Sequence, residues 1–87
     1  MLSAELQERL RAWREANGLT ARRRLGLGVY VQGFKSLDEA KQFRKEHGGM
    51  VLDSHKKSKT KARYGQRMRE VGLDRTLYPY AVEFVER

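Results

Sequence analysis

Residues 25–54, LGLGVYVQGFKSLDEAKQFRKEHGGMVLDS, contain the pattern that decides the fold. Aliphatic side chains stand at every second position at its start: Leu25, Leu27, Val29 and Val31. In a pleated strand, this spacing places all of them on one face. The pattern therefore predicts a strand at the start of this segment.

A helix and a second strand are predicted next. Ser36 stands three residues before Glu39, which is the spacing of a capping box. Gly48-Gly49 is expected to end the helix, because glycine adopts the left-handed conformation at little cost. The apolar residues 50–52 then predict a second strand. A helical crossover of this length makes the two strands parallel.

Flanking segments complete the predicted fold. Residues 1–18 predict an amphipathic helix that begins at Ser3, and residues 19–24 a linker. A mobile basic loop and a basic helix follow over residues 55–72, and residues 78–86 predict the last strand. At 87 residues, the chain is long enough for one small domain. The fold class is thus α/β (α+β), in the order α-β-α-β-α-β, with a three-stranded mixed sheet packed by helices.

The last strand has an alternating pattern. Its aromatic and aliphatic residues fall at every second position and predict a packed face: Tyr78, Tyr80, Val82 and Phe84. Glu83 and Glu86 are expected to face solvent. On the other face of the first predicted strand, Tyr30 and Phe34 could stack bases if uncovered, but a place in the core is favoured.

Several classes of chemistry have no support in the sequence. There is no cysteine, no signal-peptide pattern and no apolar run near the ~20 residues that span a bilayer, so a cytoplasmic address is expected. His47 and His55 are separated by a turn and a strand, which disfavours a metal site. No nucleophile elbow or phosphate loop occurs. Neither a metal nor a small-molecule cofactor is therefore expected.

Charge is the main functional signal. The chain has 19 Lys and Arg against 11 Asp and Glu, for a net charge of +8. Arg22, Arg23 and Arg24 stand in a stretch without acids between Glu15 and Asp38. Residues 55–69 contain no acid and seven basic residues, namely Lys56, Lys57, Lys59, Lys61, Arg63, Arg67 and Arg69. Both clusters are candidate phosphate contacts, because such cations displace counterions from a phosphate backbone.

The composition favours a non-enzymatic protein that binds nucleic acid or a nucleoprotein complex mainly through phosphate contacts. One alternative is an inhibitor or adaptor of the kind that phages and mobile elements encode, which binds a host protein of the nucleic-acid machinery. A small toxin-like ribonuclease is a second alternative. Its candidate residues are His55, Arg63, Tyr64, Arg67 and Tyr80.

A local resemblance to a known family occurs in the strand-to-helix segment. Residues 29–36, VYVQGFKS, followed by Glu39-Ala40, are similar to the opening of SPOR domains, which bind septal peptidoglycan. The resemblance covers about a fifth of the chain. The second half of that family's repeat does not occur here. The similarity is therefore interpreted as a shared strand-to-helix turn, and no residue role is transferred from it.

Overall fold

A four-stranded antiparallel sheet with helices on both faces forms the body of the protein. The computed structural model describes residues 3–16 and 21–86 and, within the first helix, the side chains of residues 3–10 and 12. The described elements are, in chain order, α1 (Ala4–Ala16), β1 (Arg22–Gly26), β2 (Val29–Phe34), α2 (Leu37–His47), β3 (Met50–Asp53), α3 (Lys61–Val71) and β4 (Tyr80–Val85).

The order of the strands is β1-β2-β4-β3, so the predicted three-stranded mixed sheet is wrong. Strands β2 and β3 do run in the same direction, since each is antiparallel to β4. However, β4 lies between them and forms hydrogen bonds with both. This central position fits the composition of β4, because Ala81 and Val82 point to opposite faces and both are fully buried.

The predicted first strand is a hairpin. Strands β1 and β2 pair with each other and are joined by the two-residue turn of Leu27 and Gly28. Gly28 has φ +70°, a backbone conformation that favours glycine. Leu27 lies in the turn and is 94% exposed, so the four alternating aliphatic residues do not share one face.

The arginine cluster forms strand β1 instead of the predicted linker. Arg22 pairs with Gln32, and Arg24 pairs with Tyr30. Since side chains alternate along a strand, Arg22 and Arg24 point to one face of the sheet and Arg23 to the other. Pairing with β2 supplies the backbone hydrogen bonds that make this charged segment a strand.

Each face of the sheet has its own apolar core. Helix α3 packs on one face through a cluster of buried residues: Ala21, Val31, Leu52, Tyr64, Met68, Leu73, Tyr78 and Ala81. Helix α2 packs on the other face through Ala40, Val82 and Phe84. Tyr30 and Phe34 are partly buried against the α2-side cluster, which confirms their expected place in the core.

Tyr78 packs on the face opposite to that of Tyr80, contrary to the alternation expected for residues 78–86. Strand β4 begins only at Tyr80, so Tyr78 lies in the preceding turn and enters the α3-side cluster. Its ring lies directly over Gly33, where an added Cβ would come within 2.5 Å of the tyrosine Cγ. Glycine is therefore required at position 33 for this close approach.

The predicted helix boundaries are confirmed where the structure describes them. Ser36 Oγ accepts a hydrogen bond from the Glu39 backbone N–H at 3.2 Å. Helix α2 ends at Gly48 with φ +77°, and α3 ends at Gly72 in the left-handed conformation. Tyr64 and Met68 lie on the buried side of α3, as their spacing predicted.

The N-terminal helix begins as expected and exposes its described leucines. Ser3 Oγ accepts a hydrogen bond from the Leu6 N–H at 3.2 Å. The spacing of Leu2, Leu6, Leu10 and Trp13 predicts one apolar stripe on this helix, yet Leu6 and Leu10 are 41% and 37% exposed. Leu2, the Trp13 side chain and the helix end predicted at Asn17-Gly18 lie outside the described residues. Within the described part of the chain, no helix is long and apolar enough to cross a membrane.

Candidate nucleic-acid interface

Residues 55–61, here called the lysine turn, connect β3 to α3. The sequence predicts a mobile loop here, but hydrogen bonds close the turn at both ends. The Ser58 N–H donates to the His55 carbonyl at 3.0 Å, and the Lys61 N–H donates to the Ser58 carbonyl at 3.3 Å. Thr60 Oγ1 accepts from the Asp53 N–H at 2.9 Å. The backbone that carries the lysines therefore forms a hydrogen-bonded turn.

The lysines of this turn are exposed, and their charges are not neutralised locally. Among the residues that the structure describes, no carboxylate forms an ion pair with Lys56, Lys57, Lys59 or Lys61. Helix α3 starts at Lys61 without an acid in its first turn. The positive end of the helix dipole also lies at this N-terminus, so it adds to the positive charge of the lysines.

Arg63 and Arg67 of the same basic segment are neutralised by Glu83 on β4. Arg63 Nη2 lies 2.8 Å from Glu83 Oε2, and Arg67 Nε lies 2.5 Å from Glu83 Oε1. Arg67 also reaches Glu70 at 3.0 Å through its Nη1. The Glu83 side chain is only 15% exposed, so the expectation that it faces solvent is wrong. These two arginines attach α3 to the sheet.

The ion pair shifts the pKa values of both partners in the direction that preserves it. Burial tends to raise the pKa of Glu83, but hydrogen bonds and charge from Arg63 and Arg67 outweigh it and hold that pKa below its ordinary value. The hydrogen bond to Glu83 is the main cause of a raised pKa for Arg67. Both groups therefore stay charged at neutral pH.

Arg69 extends the surface of the lysine turn along α3. It is exposed, and its Nε donates to the Gly65 carbonyl of its own helix at 3.5 Å. Residues 61, 65 and 69 lie at i, i+4 and i+8, so they share one side of the helix. At a rise of 1.5 Å per residue, Arg69 lies about 12 Å from Lys61 along the axis.

The β1 arginines lie apart from the lysine turn. The turn follows β3, and β1 is at the opposite edge of the sheet, roughly 14 Å away across three strand spacings. Arg22 lies over the Phe43 and Phe84 rings, 5.9 and 5.4 Å from their centroids, and its Nε donates to Gln32 Oε1 at 2.9 Å. Arg22 and Arg24 therefore lie on the α2 side of the sheet, at the edge away from the lysine turn.

Asp53 is a site residue that sequence reasoning missed. Its Oδ1 accepts hydrogen bonds from the His55 backbone N–H, at 3.0 Å, and from His55 Nδ1. Burial tends to raise the pKa of Asp53, but these bonds and the His55 charge hold it below its ordinary value. The His55 ring also lies 5.7 Å from the Tyr80 ring. The sequence held no specific signal for it, because a two-residue spacing of aspartate and histidine at the end of a strand is also that of an ordinary turn.

Only part of the candidate ribonuclease set is brought together. Tyr64 is buried, its hydroxyl donates to the Tyr78 carbonyl at 2.5 Å, and burial raises its pKa. The arginines of that set, Arg63 and Arg67, hold Glu83. His55 and Tyr80 remain adjacent at the surface, next to the lysine turn.

The described residues contain no group of three or more histidine, aspartate and glutamate side chains placed to hold a metal ion. The interface therefore consists of cations, one histidine–aspartate pair and a neighbouring tyrosine. Comparisons with protein-family models, with curated proteins and with solved structures found no match.

Proposed function

We propose that this protein binds nucleic acid, alone or within a nucleoprotein complex, mainly through phosphate contacts of the lysine turn. One observation carries the proposal: four exposed lysines lie on a hydrogen-bonded turn without a carboxylate partner among the described residues. Because hydrogen bonds already close the turn, the main ordering cost of binding is expected to come from the side chains.

The exposed lysines of α2 differ from those of the lysine turn in their surroundings. On α2, Lys41 and Lys45 share a helix with three acids, namely Asp38, Glu39 and Glu46. Residues 54–69, in contrast, contain no acid at all. A polyanion approaching the lysine turn therefore meets little local repulsion, whereas at α2 attraction and repulsion partly cancel.

The number of cations predicts the salt dependence of binding. The four lysines and Arg69 can engage about five phosphates, for which duplex DNA gives a slope of log affinity against log salt of about −4.5. Such contacts position the protein and carry little base specificity. We therefore expect similar affinity for different sequences.

Fluorescence anisotropy of labelled single- and double-stranded DNA and RNA, titrated at several salt concentrations, tests this proposal. The double variant K57A/K59A is expected to lower the slope by about 2, because two phosphates are no longer neutralised. The charge-matched control K41A/K45A on α2 is expected to leave the slope unchanged. An equal decrease in both variants would show that only net charge matters, and the proposal would fail.

A second candidate function, that of an inhibitor or adaptor for a host protein, is supported by α1. Its exposed Leu6 and Leu10 stand four residues apart and so lie on one side of the helix. Pull-down from a nuclease-treated bacterial lysate tests this alternative. A protein partner that survives the nuclease and no longer binds L6A/L10A supports it, and loss of all partners with the nuclease favours nucleic acid.

A further inference from the structure

We infer that His55 is the general base of a metal-independent RNA cleavage reaction at the lysine turn. This inference rests on the proposed function, since the RNA must first bind there. It adds a chemical step that phosphate binding alone does not require. The observations that carry it are the orientation of the imidazole, its exposure and the surrounding unneutralised lysines.

The imidazole is oriented on one side and accessible on the other. Nδ1 is hydrogen-bonded to Asp53 Oδ1, and the same oxygen accepts the His55 backbone N–H. In the tautomer of the neutral ring whose Nδ1–H donates to this carboxylate, Nε2 carries the free lone pair. The Tyr80 ring supports the imidazole, yet the His55 side chain is 63% exposed, so a substrate can reach Nε2.

The reaction that fits these groups is attack of a ribose 2′-hydroxyl on the adjacent phosphate. His55 Nε2 accepts the hydroxyl proton, the 2′ oxygen forms a bond to phosphorus, and the bond from phosphorus to the 5′ oxygen breaks. The leaving 5′ oxygen takes a proton from water, and the imidazolium returns its proton to the hydroxide so formed. The products are a 2′,3′-cyclic phosphate and a 5′-hydroxyl, and no other reactant is consumed.

The lysines supply the electrostatic part of the reaction. Negative charge accumulates on the phosphate oxygens as the 2′ oxygen attacks, and lysine side chains that contact this phosphate would stabilise that transition state. Two titratable groups contact the His55 ring in the described part of the chain, Asp53 on β3 and Tyr80 on β4, and Lys56 follows it in sequence. DNA is expected to bind without being cut, because it lacks the 2′-hydroxyl.

The test is single-turnover cleavage of a labelled RNA oligonucleotide by saturating protein in the presence of EDTA. H55A is expected to lower the rate by at least about 100-fold, the usual contribution of a general base. The matched control is H47A, which changes a histidine at the end of α2 and is expected to cleave at the rate of the unaltered protein. An RNA with a 2′-deoxyribose at the cleaved position is expected to remain intact.

Asp53 is a positioning residue in this scheme. In D53N, the amide oxygen can still accept the His55 backbone N–H, whereas the charge that orients the ring is removed. The single-turnover rate at saturation is expected to fall about 10-fold, while the protein concentration for half-saturation stays unchanged. A merely structural role of Asp53 would instead raise the half-saturating concentration.

The outcomes separate this inference from the proposed function. If the protein binds a 2′-deoxy analogue but leaves RNA intact, the inference is overturned and the binding function stands. If H55A cleaves as fast as the unaltered protein, His55 is not the base and the inference is overturned as well. If neither RNA nor DNA binds, the proposed function itself fails.

Discussion

Two groups of cations in one basic segment have different roles in this structure. The lysine turn holds four ammonium groups without a carboxylate partner among the described residues. Further along the segment, Arg63 and Arg67 are both bound to Glu83, whose side chain is largely buried. The first group is available to a ligand, whereas the second fastens a helix to the sheet.

The difference shows how tertiary structure divides a uniform run of charge. Residues 63 and 67 stand one helical turn apart and share a side of α3, so both reach the same carboxylate. The lysine turn follows β3, an edge strand of the sheet, and ends at the first residue of α3. An acid-free sequence therefore does not mean that every cation in it is free.

Removing the charge of the lysine turn is expected to have the largest effect. In K56A/K57A/K59A/K61A, affinity for nucleic acid should fall roughly 100-fold at low salt, and the salt slope should decrease by about 4. Anisotropy measures the affinity, and a thermal melt should show a folded protein of similar stability. The control K41A/R44A/K45A should bind nearly as the unaltered protein, and an equal decrease there would contradict the comparison.

Removing the charge of Glu83 is expected to lower the stability of the protein and to raise its affinity for nucleic acid. E83Q removes the charge that holds Arg63 and Arg67 and should lower the free energy of unfolding by about 2 kcal/mol. The freed arginines should then raise affinity for phosphate several-fold. Chemical denaturation and anisotropy measure the two effects, with E86Q as the charge-matched control. Lower affinity in folded E83Q would contradict the division of roles.

The same ion pair predicts a pH dependence of stability. The pKa of Glu83 is lower in the folded protein than in the unfolded chain. Its stabilising contribution is therefore complete above the unfolded pKa and is lost as the pH falls through the folded value. Denaturation of the unaltered protein and E83Q from neutral to strongly acidic pH should show their stabilities converging. A difference in unfolding free energy between the two proteins that stays constant over this pH range would contradict the stabilising role of the Glu83 charge.

A smaller effect is expected at the buried end of α3. In Y64F, the Tyr78 carbonyl loses the hydroxyl that donates to it, which should cost about 1 kcal/mol of unfolding free energy. RNA binding and cleavage should both stay unchanged, because this hydroxyl faces the core. Denaturation measures the change in stability, anisotropy measures binding, and the single-turnover assay measures cleavage. A loss of cleavage without a loss of binding would show that Tyr64 takes part in the reaction.

Local sequence patterns correctly predicted helices α2 and α3. The serine cap of α2, its glycine end and the buried residues of α3 depend on neighbours within one or two turns. Strand pairing, in contrast, depends on residues far apart in sequence. A run of three arginines carries no strand signal of its own, so β1 could not be predicted before its pairing with β2 was known.

The sequence predicted a cluster of basic residues, but not which of them form ion pairs within the fold. The absence of acids over residues 54–69 is visible in the sequence and pointed to the lysines. The Glu83 partner of Arg63 and Arg67 is at least 16 residues away from them, and only the fold brings these residues together. The pair of Asp53 and His55 was within local reach, but nothing in its spacing distinguished it from an ordinary turn.

An NMR titration of isotope-labelled protein with a short single-stranded oligonucleotide tests the central claim most directly. We predict that the largest shifts occur at backbone amides of the lysine turn and at its lysine side chains. The Nε–H resonance of Arg67 should keep its position, because that group stays bound to Glu83. Shifts concentrated on Arg63 and Arg67, or on α2 with the lysine turn unaffected, would contradict the division between free and structural cations.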